Sequence, residues 1–280
     1  MKKRVFGFVG IIFVIGLLGM SCAAVPKATT EEIVLTEDRV NRGKYLVEGI
    51  GACAACHTPT FHGMPVLEKH LAGGTIFNEE GLGIIPIPNI TPDVETGIGS
   101  WTDGELIRAI RVGVDNEGRV LIPIMPYPAY KDISDNDVRA IVAYMRTIPP
   151  VVNETPKPQL DFPISIIFEL FPPETVSVSN VPDPPQGDPV ALGKYLVSLG
   201  HCSECHTPLK PSSFEPEMSM YMAGGTPMNG PWGTTYTSNL TPDKKSGIGD
   251  QTDDEILTML RTGRHKKEEM RPPMSWLYHS

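Results

Sequence analysis

Apolar and polar residues follow the period of an α-helix in several short segments of this chain. Thr102 and Glu105 have the spacing of a capping box, and apolar residues follow them at helical intervals. The same order recurs at Thr252 and Glu255. Helices are predicted over residues 37–55, 102–110, 134–146 and 252–260. Because no convincing β-period alternation is present, the pattern predicts an all-α fold.

The chain also repeats itself, at offsets between 149 and 151 residues. Four segments recur: Gly43–Val47 as Gly193–Val197, Cys53–Pro59 as Cys202–Pro208, Ala72–Thr75 as Ala223–Thr226, and Asn89–Asp93 as Asn239–Asp243. Two copies so far apart predict a tandem pair of domains rather than a solenoid. The predicted boundaries are 1–22 for a signal peptide, 34–150 for the first domain, 151–187 for a linker and 188–280 for the second domain.

The predicted linker is rich in proline, which favours an extended connector over a helix. It is not a plain spacer, because Ile164–Phe171 is too apolar to stay exposed to water. We expect this segment to pack between or against the two domains.

The N-terminus has the pattern of a secretory signal. Lys2, Lys3 and Arg4 precede an uncharged apolar run that ends before Cys22. The run is short for a membrane span, which needs roughly 20 residues, so a removed signal is favoured over a permanent anchor. Cys22 is a candidate acylation site of a lipoprotein, and cleavage after Ala23 or Ala24 is the alternative. The protein is therefore predicted to be exported to the periplasm, with a lipid at Cys22 as its one means of membrane attachment.

The charge balance is acidic. The formal net charge is −9, and loss of residues 1–21 would remove three positive charges and bring it to −12. Nucleic-acid binding is disfavoured, and a protein partner steered by charge would present a basic surface.

A pair of cysteines separated by two residues and followed directly by histidine is the attachment motif of a c-type heme. The chain contains it twice, as Cys53, Cys56 and His57 and as Cys202, Cys205 and His206. On a helical turn both sulfurs reach the heme vinyl groups while the histidine meets the iron. A four-cysteine zinc site leaves the two histidines unexplained. A thioredoxin-like redox dithiol would normally lie in a βαβ unit, and the sequence predicts no such unit. A structural disulfide is the third alternative.

The ligand on the other face of each iron separates electron transfer from catalysis. Met125 and Met274 are the candidates, because each lies 68 residues beyond its heme histidine (125 − 57 and 274 − 206). A methionine thioether favours ferrous iron and fills the sixth position. The rivals are Met270 and the histidines that have no counterpart in the other copy, namely His62, His70, His201, His265 and His279.

With these motifs, the chain resembles the two-domain diheme cytochromes c of the class I fold, including heme subunits that accept electrons from periplasmic dehydrogenases. Further elements of the resemblance are Asn-x-Thr-Pro-Asp followed by Gly-Ile-Gly in both copies, and Met-Pro-Tyr-Pro-x-Tyr at 125–130. The resemblance implies two hemes c with His/Met ligation. It also implies redox partner proteins, a donor dehydrogenase and an acceptor cytochrome or oxidase, and no catalytic residue.

One departure concerns the second copy, which stops at Ser280, soon after Met274. The helix that follows Met125 in the first copy has no counterpart there, so the second domain is predicted to be truncated and its pocket more open. This keeps an alternative function in view, a peroxidase-like diheme enzyme with one open iron. A structural metal-binding module is the non-redox alternative.

Overall fold

The computed structural model describes residues 25–62, 64–79, 81–166, 178–211, 215–230, 232–265, 268–271 and 273–274. The predicted signal peptide and Cys22 lie outside these residues, as do His279 and most of the apolar segment 164–171. Within the described part of the chain, no helix combines the length and the apolar composition needed to cross a membrane.

Four of the five helices that the structure describes in the first repeat overlap the predicted segments, and the short helix after Met125 was not predicted. The five helices are α1 (Glu37–Lys44), α2 (Cys53–His57), α3 (Asp103–Val112), α4 (Tyr127–Tyr130) and α5 (Asp135–Thr147). The capping box of Thr102 and Glu105 is formed at the start of α3. The predicted helix over 37–55 is interrupted: α1 passes into a π-helical stretch, Tyr45–Ile50, and the left-handed backbone of Ala52 (φ 45°) separates that stretch from α2.

The core of the first repeat forms where α1 and α5 cross. A side chain on Gly43 would place its Cβ within 1.9 Å of the carbonyl oxygen of Ala140, so only glycine allows this approach. Leu46, Ile107 and Val142 are almost fully buried around the crossing. This packing gives the site a rigid support.

The prediction of an all-α fold was wrong, because short antiparallel strands connect the helices. The strands are β1 (Thr60–Phe61), β2 (Met64–Pro65), β3 (Ile76–Glu79), β4 (Gly83–Pro86), β5 (Gln159–Leu160), β6 (Pro227–Gly230), β7 (Gly233–Tyr236), β8 (Arg264–His265) and β9 (Glu268–Glu269). They pair as β1–β2, β3–β4–β5, β6–β7 and β8–β9. Strands of two to four residues are too short to show an alternating pattern in sequence.

The proline-rich linker is attached to the first repeat. In β5, Leu160 pairs with Gly83 and Gln159 with Ile84, which adds a third strand to the β3–β4 hairpin. Farther back, the side-chain amide of Asn153 donates a hydrogen bond to the carbonyl of Ala72 at 2.8 Å. The start of the linker is thus held against the first repeat.

From its first helix to the helix with the capping box, the second repeat has the same order of helices as the first. Its helices are α6 (Pro189–Leu199), α7 (Cys202–His206) and α8 (Asp253–Thr262), with the Thr252–Glu255 capping box formed at the start of α8. Leu199, at the end of α6, is buried in the core cluster of the first repeat. On α8, Leu257 and Leu260 remain exposed within the described structure. The apolar side chains of the capping-box helix are therefore buried in the first repeat and more exposed in the second, although the two helices begin in the same way.

Candidate functional site

The first cysteine pair lies on the short helix α2. Its left-handed N-cap, Ala52, turns the chain so that Cys53 and Cys56 lie one helical turn apart, with His57 at the helix end. The Nδ1 atom of His57 lies 2.8 Å from the carbonyl oxygen of Pro88. Because a carbonyl only accepts hydrogen bonds, Nδ1 carries the proton and Nε2 keeps its lone pair. The buried imidazole is thereby fixed in the tautomer that can bind a metal through Nε2.

Burial also favours the neutral form of this ring. It lowers the pKa of His57, and the hydrogen bond to the Pro88 carbonyl opposes that shift only in part. A neutral imidazole is the form that ligates iron.

The second pair repeats this geometry on α7. His201 is the left-handed N-cap (φ 40°), and the Nδ1 atom of His206 lies 2.7 Å from the carbonyl oxygen of Ser238. The same tautomer follows, with Nε2 of His206 free to act as a ligand. Two motifs far apart in the chain thus present their histidines in the same way.

Sequence reasoning did not identify the two carbonyls that orient these histidines. Pro88 and Ser238 each precede the asparagine of an Asn-x-Thr-Pro-Asp segment. In the first segment, the Oδ1 atom of Asn89 accepts hydrogen bonds from the backbone N–H and the hydroxyl of Thr91. Asn239 makes the equivalent bonds. The recurrence of this motif was the signal, because its turn fixes the carbonyl just before it.

The four cysteines are free thiols in this structure. Burial raises the pKa of Cys53 to about 12 and also raises those of Cys56, Cys202 and Cys205. Neither motif pair is joined as a disulfide in this structure. Among the described residues, no group of three or more His, Cys, Asp or Glu side chains is arranged to hold a metal ion, so the four-cysteine zinc alternative gains no support.

One continuous cavity of about 3100 Å³ reaches both motifs. Its lining includes both cysteine pairs, both motif histidines and many apolar side chains, among them Ile85, Ile87, Leu106, Ile110, Leu121 and Leu196. An apolar space beside two thiols and an imidazole lone pair fits a covalently attached heme. The residues present thus fit the group that the motifs imply.

Met125 lies on the loop between α3 and α4 and lines this cavity. The loop is held at both ends: the Met125 carbonyl accepts a hydrogen bond from the N–H of Tyr127 at 2.8 Å, and the Tyr127 ring lies against Gly113. A side chain at Gly113 would collide with that ring, and its positive φ of 71° also favours glycine. Met125 is therefore a half-buried methionine on a well-supported loop.

Met274 also lines the cavity, but so does its rival Met270. The N–H of Met274 donates to the carbonyl of Arg271 at 3.3 Å, and the N–H of Met270 donates to the carbonyl of Gly263 at 2.6 Å. Both methionines line the cavity, and the structure does not decide which of the two would face the second motif.

Two of the histidine rivals, His62 and His70, have other surroundings. The Nε2 atom of His70 lies 2.8 Å from Glu48, and the ring of His62 contacts Phe61. His201 also lines the cavity, and it faces Tyr130 of the first repeat.

Burial works against ionisation of Glu48, but hydrogen bonds from His70 and Tyr144 outweigh it, so the pKa of Glu48 lies below its ordinary value.

Comparison with known proteins gives a consistent result. The Cytochrome c family model matches residues 40–149. The chain is 33% identical to the cytochrome c subunit of alcohol dehydrogenase (quinone) from Gluconobacter oxydans (strain 621H), over 89% of this chain and 51% of that protein. It is 36% identical to the fructose dehydrogenase cytochrome subunit of Gluconobacter japonicus, over 84% of this chain and 47% of that protein.

A further relative, named diheme cytochrome c-type, comes from Cereibacter sphaeroides; it is 29% identical over 87% of this chain and 81% of its own length. The chain spans about half the length of the two dehydrogenase subunits. It therefore carries a cytochrome c domain at residues 40–149 and is related, along most of its length, to the cytochrome c subunits of dehydrogenases.

Proposed function

We propose that this protein transfers electrons with two covalently bound hemes c, one at each cysteine motif. The observation that carries the proposal is the matched pair of histidines, His57 and His206. Each donates Nδ1–H to a backbone carbonyl beside two cysteines one helical turn apart. A heme c supplies reversible one-electron chemistry at its iron when bound.

The residues of this chain would attach, orient and shield that group. Cys53 and Cys56 would form thioethers in the first repeat, and Cys202 and Cys205 in the second. His57 and His206 would bind iron on one face through Nε2. The apolar cavity would exclude water from the iron. Less water would then have to reorient when the iron changes its oxidation state.

Met125 and Met274 are the proposed ligands on the opposite face. A thioether is a soft, neutral ligand, so it raises the reduction potential and leaves no position open for a substrate. The supported loop around Met125 favours this assignment in the first repeat. In the second repeat, equivalence in sequence favours Met274 over Met270.

We further propose that the protein works as the electron-accepting subunit of an exported dehydrogenase. Relatives named as cytochrome subunits of alcohol, fructose and gluconate dehydrogenases support a donor of this class. The acceptor would be another cytochrome or an oxidase. The N-terminal signal pattern supports a periplasmic location, and Cys22 remains the proposed site of lipid attachment.

Intact-mass measurement of the full chain, produced in a host that attaches heme c, tests the first proposal. Two added heme masses are expected, with Cys53, Cys56, Cys202 and Cys205 protected from alkylation after denaturation. The paired changes Cys53→Ala with Cys56→Ala, and Cys202→Ala with Cys205→Ala, should each remove one heme. Zinc and four reactive thiols would refute heme attachment.

Absorbance and ligand-field spectra test the methionine ligands. Met125→Leu and Met274→Leu should each remove the far-red band of one oxidised heme and lower one reduction potential. Met270→Leu is the matched control and should keep both bands. Loss of the band in Met270→Leu instead would reassign the second ligand. Tight cyanide binding by one heme of the unaltered protein would favour the peroxidase-like alternative.

A further inference from the structure

The two repeats meet beside their cysteine motifs. Tyr130, at the end of α4, is almost fully buried, and its ring contacts the imidazole of His201 edge to face, with ring centroids 6.3 Å apart and planes at 74°. His201 directly precedes Cys202 in the second motif. An aromatic contact thus joins the first repeat to the residue bonded to Cys202.

The other end of Tyr130 reaches the first motif. Its hydroxyl donates a hydrogen bond to the carbonyl of Gly51 at 3.3 Å, two residues before Cys53. A Cβ built on Gly51 would lie 3.6 Å from the Sγ atom of Cys53 and 3.7 Å from the Tyr130 hydroxyl. The phenol hydroxyl and the sulfur of Cys53 therefore both lie next to Gly51.

A second contact brings the same two motifs together. A Cβ built on Gly200 would lie 3.3 Å from the Cδ1 atom of Ile50 and 3.4 Å from the Sγ atom of Cys202. The absence of a side chain at Gly200 lets Ile50 of the first repeat approach Cys202. Atoms from both repeats therefore meet beside the two motifs.

The imidazole of His201 is not required for the local turn. Its counterpart in the first repeat is Ala52, which has nearly the same left-handed backbone, φ 45° against 40°. Alanine therefore supports the start of a motif helix as well as histidine does. The second position differs from the first in its imidazole, which contacts Tyr130 across the repeat boundary.

We propose that Tyr130 and His201 form the bridge through which the two sites exchange electrons within one molecule. This inference rests on the proposed function, because it requires a heme at each motif. One electron leaves the reduced site and the same electron reduces the oxidised site, so no bond, proton or outside reagent is involved. Closely packed atoms couple two redox centres better than an open gap does. The bridge links Gly51, two residues before Cys53, to His201, directly before Cys202, and these two cysteines would carry thioethers.

The test uses the full chain with both hemes attached. Pulse radiolysis places one electron on the protein, and its redistribution between the hemes is followed by absorbance over a range of protein concentrations. Tyr130→Leu and His201→Ala should each slow the concentration-independent phase severalfold. Tyr130→Phe keeps the ring contact and should keep most of the rate. His201→Ala places at this position the residue that the first repeat has at the equivalent Ala52, so the variant should still fold.

Two controls separate the bridge from a structural effect. His62→Ala removes an aromatic contact of the same type, with Phe61, from another left-handed position within one repeat. Tyr195→Phe weakens the contact between repeats elsewhere. Both should retain the rate, and heme content and both midpoint potentials should match the unaltered protein in every variant.

The results separate a failure of the Tyr130–His201 bridge from a failure of the proposed two-heme function. A single heme by mass would overturn the proposed function and the bridge together. Two hemes with unchanged exchange in both Tyr130→Leu and His201→Ala would overturn the bridge alone. Equal slowing in Tyr195→Phe would also overturn it, because interface geometry would then account for the rate.

Discussion

The hydroxyl of Tyr195 donates a hydrogen bond to the Oδ2 atom of Asp137 at 2.8 Å, and this contact fastens the second repeat to the first. The same hydroxyl accepts a hydrogen bond from the N–H of Ser134, the N-cap of α5, at 3.1 Å. Asp137 in turn receives two hydrogen bonds from the guanidinium of Arg42. One phenol therefore joins α6 of the second repeat to the α1–α5 pair of the first.

Replacement of Tyr195 by phenylalanine should destabilise the protein. It removes the acceptor of the buried Ser134 N–H, and an unsatisfied buried donor costs about 1–3 kcal/mol. Denaturant unfolding followed by circular dichroism measures the change. The matched control is Tyr45→Phe, the equivalent tyrosine of the first repeat, which is largely exposed. Equal losses in the two variants would show that the contact between repeats contributes nothing.

Substitution of Gly43 by alanine should be costly because its Cβ would collide with the Ala140 carbonyl. Forcing the helices apart costs about 1–3 kcal/mol or more. Among the described residues, no atom beyond its own helix backbone and chain neighbours lies within 4 Å of a Cβ built on Gly193, its counterpart on α6. Alanine there should be neutral or stabilise the helix by up to about 1 kcal/mol. Thermal unfolding of the two variants compares them directly. A tolerated Gly43→Ala would contradict the α1–α5 crossing.

Acidification should loosen the attachment of residues 178–181. Burial opposes ionisation of Asp135, but the backbone N–H groups of Asn180 and Val181 and the guanidinium of Arg111 outweigh it and keep its pKa below the ordinary value. The contact therefore stabilises the fold above about pH 4 and is lost as the pH falls through the lower folded-state pKa.

The free energy of unfolding, measured between about pH 6 and pH 3, checks this dependence. Asp135→Asn should be less stable than the unaltered protein at neutral pH, since Arg111 is buried beside it. The variant should also lose less stability on acidification. An unchanged pH dependence would show that Asp135 is not among the responsible groups.

The two motif asparagines should differ in importance. Asn89 fixes the turn at Thr91 and also donates a hydrogen bond to the linker carbonyl of Val151 at 2.7 Å. The amide nitrogen of Asn89 also donates to the hydroxyl of Thr96 at 3.2 Å, and that of Asn239 makes the equivalent bond to Ser246 at 2.9 Å. Asn89→Ala should therefore lower the free energy of unfolding more than Asn239→Ala, by about 1 kcal/mol for the extra bond. Paired denaturant titrations measure this difference, and equal losses would contradict it.

The features that the sequence determined by itself are local ones. Both capping boxes depend on residues three apart, and each cysteine motif lies within a single helical turn, so their chemistry is encoded by spacing alone. The duplication is visible for the same reason, since each short motif recurs intact. The cytochrome c domain could thus be predicted without coordinates.

Only the tertiary structure decided the features that join distant segments. It placed the carbonyls of Pro88 and Ser238 on the motif histidines, added Gln159 and Leu160 of the linker to a sheet, and brought Tyr130 to His201. These contacts span tens of residues, and their geometry depends on how α1, α5 and α6 pack. Hydrophobic periodicity does not predict such pairings, because it indicates which face of a helix or strand is buried and not which element covers that face.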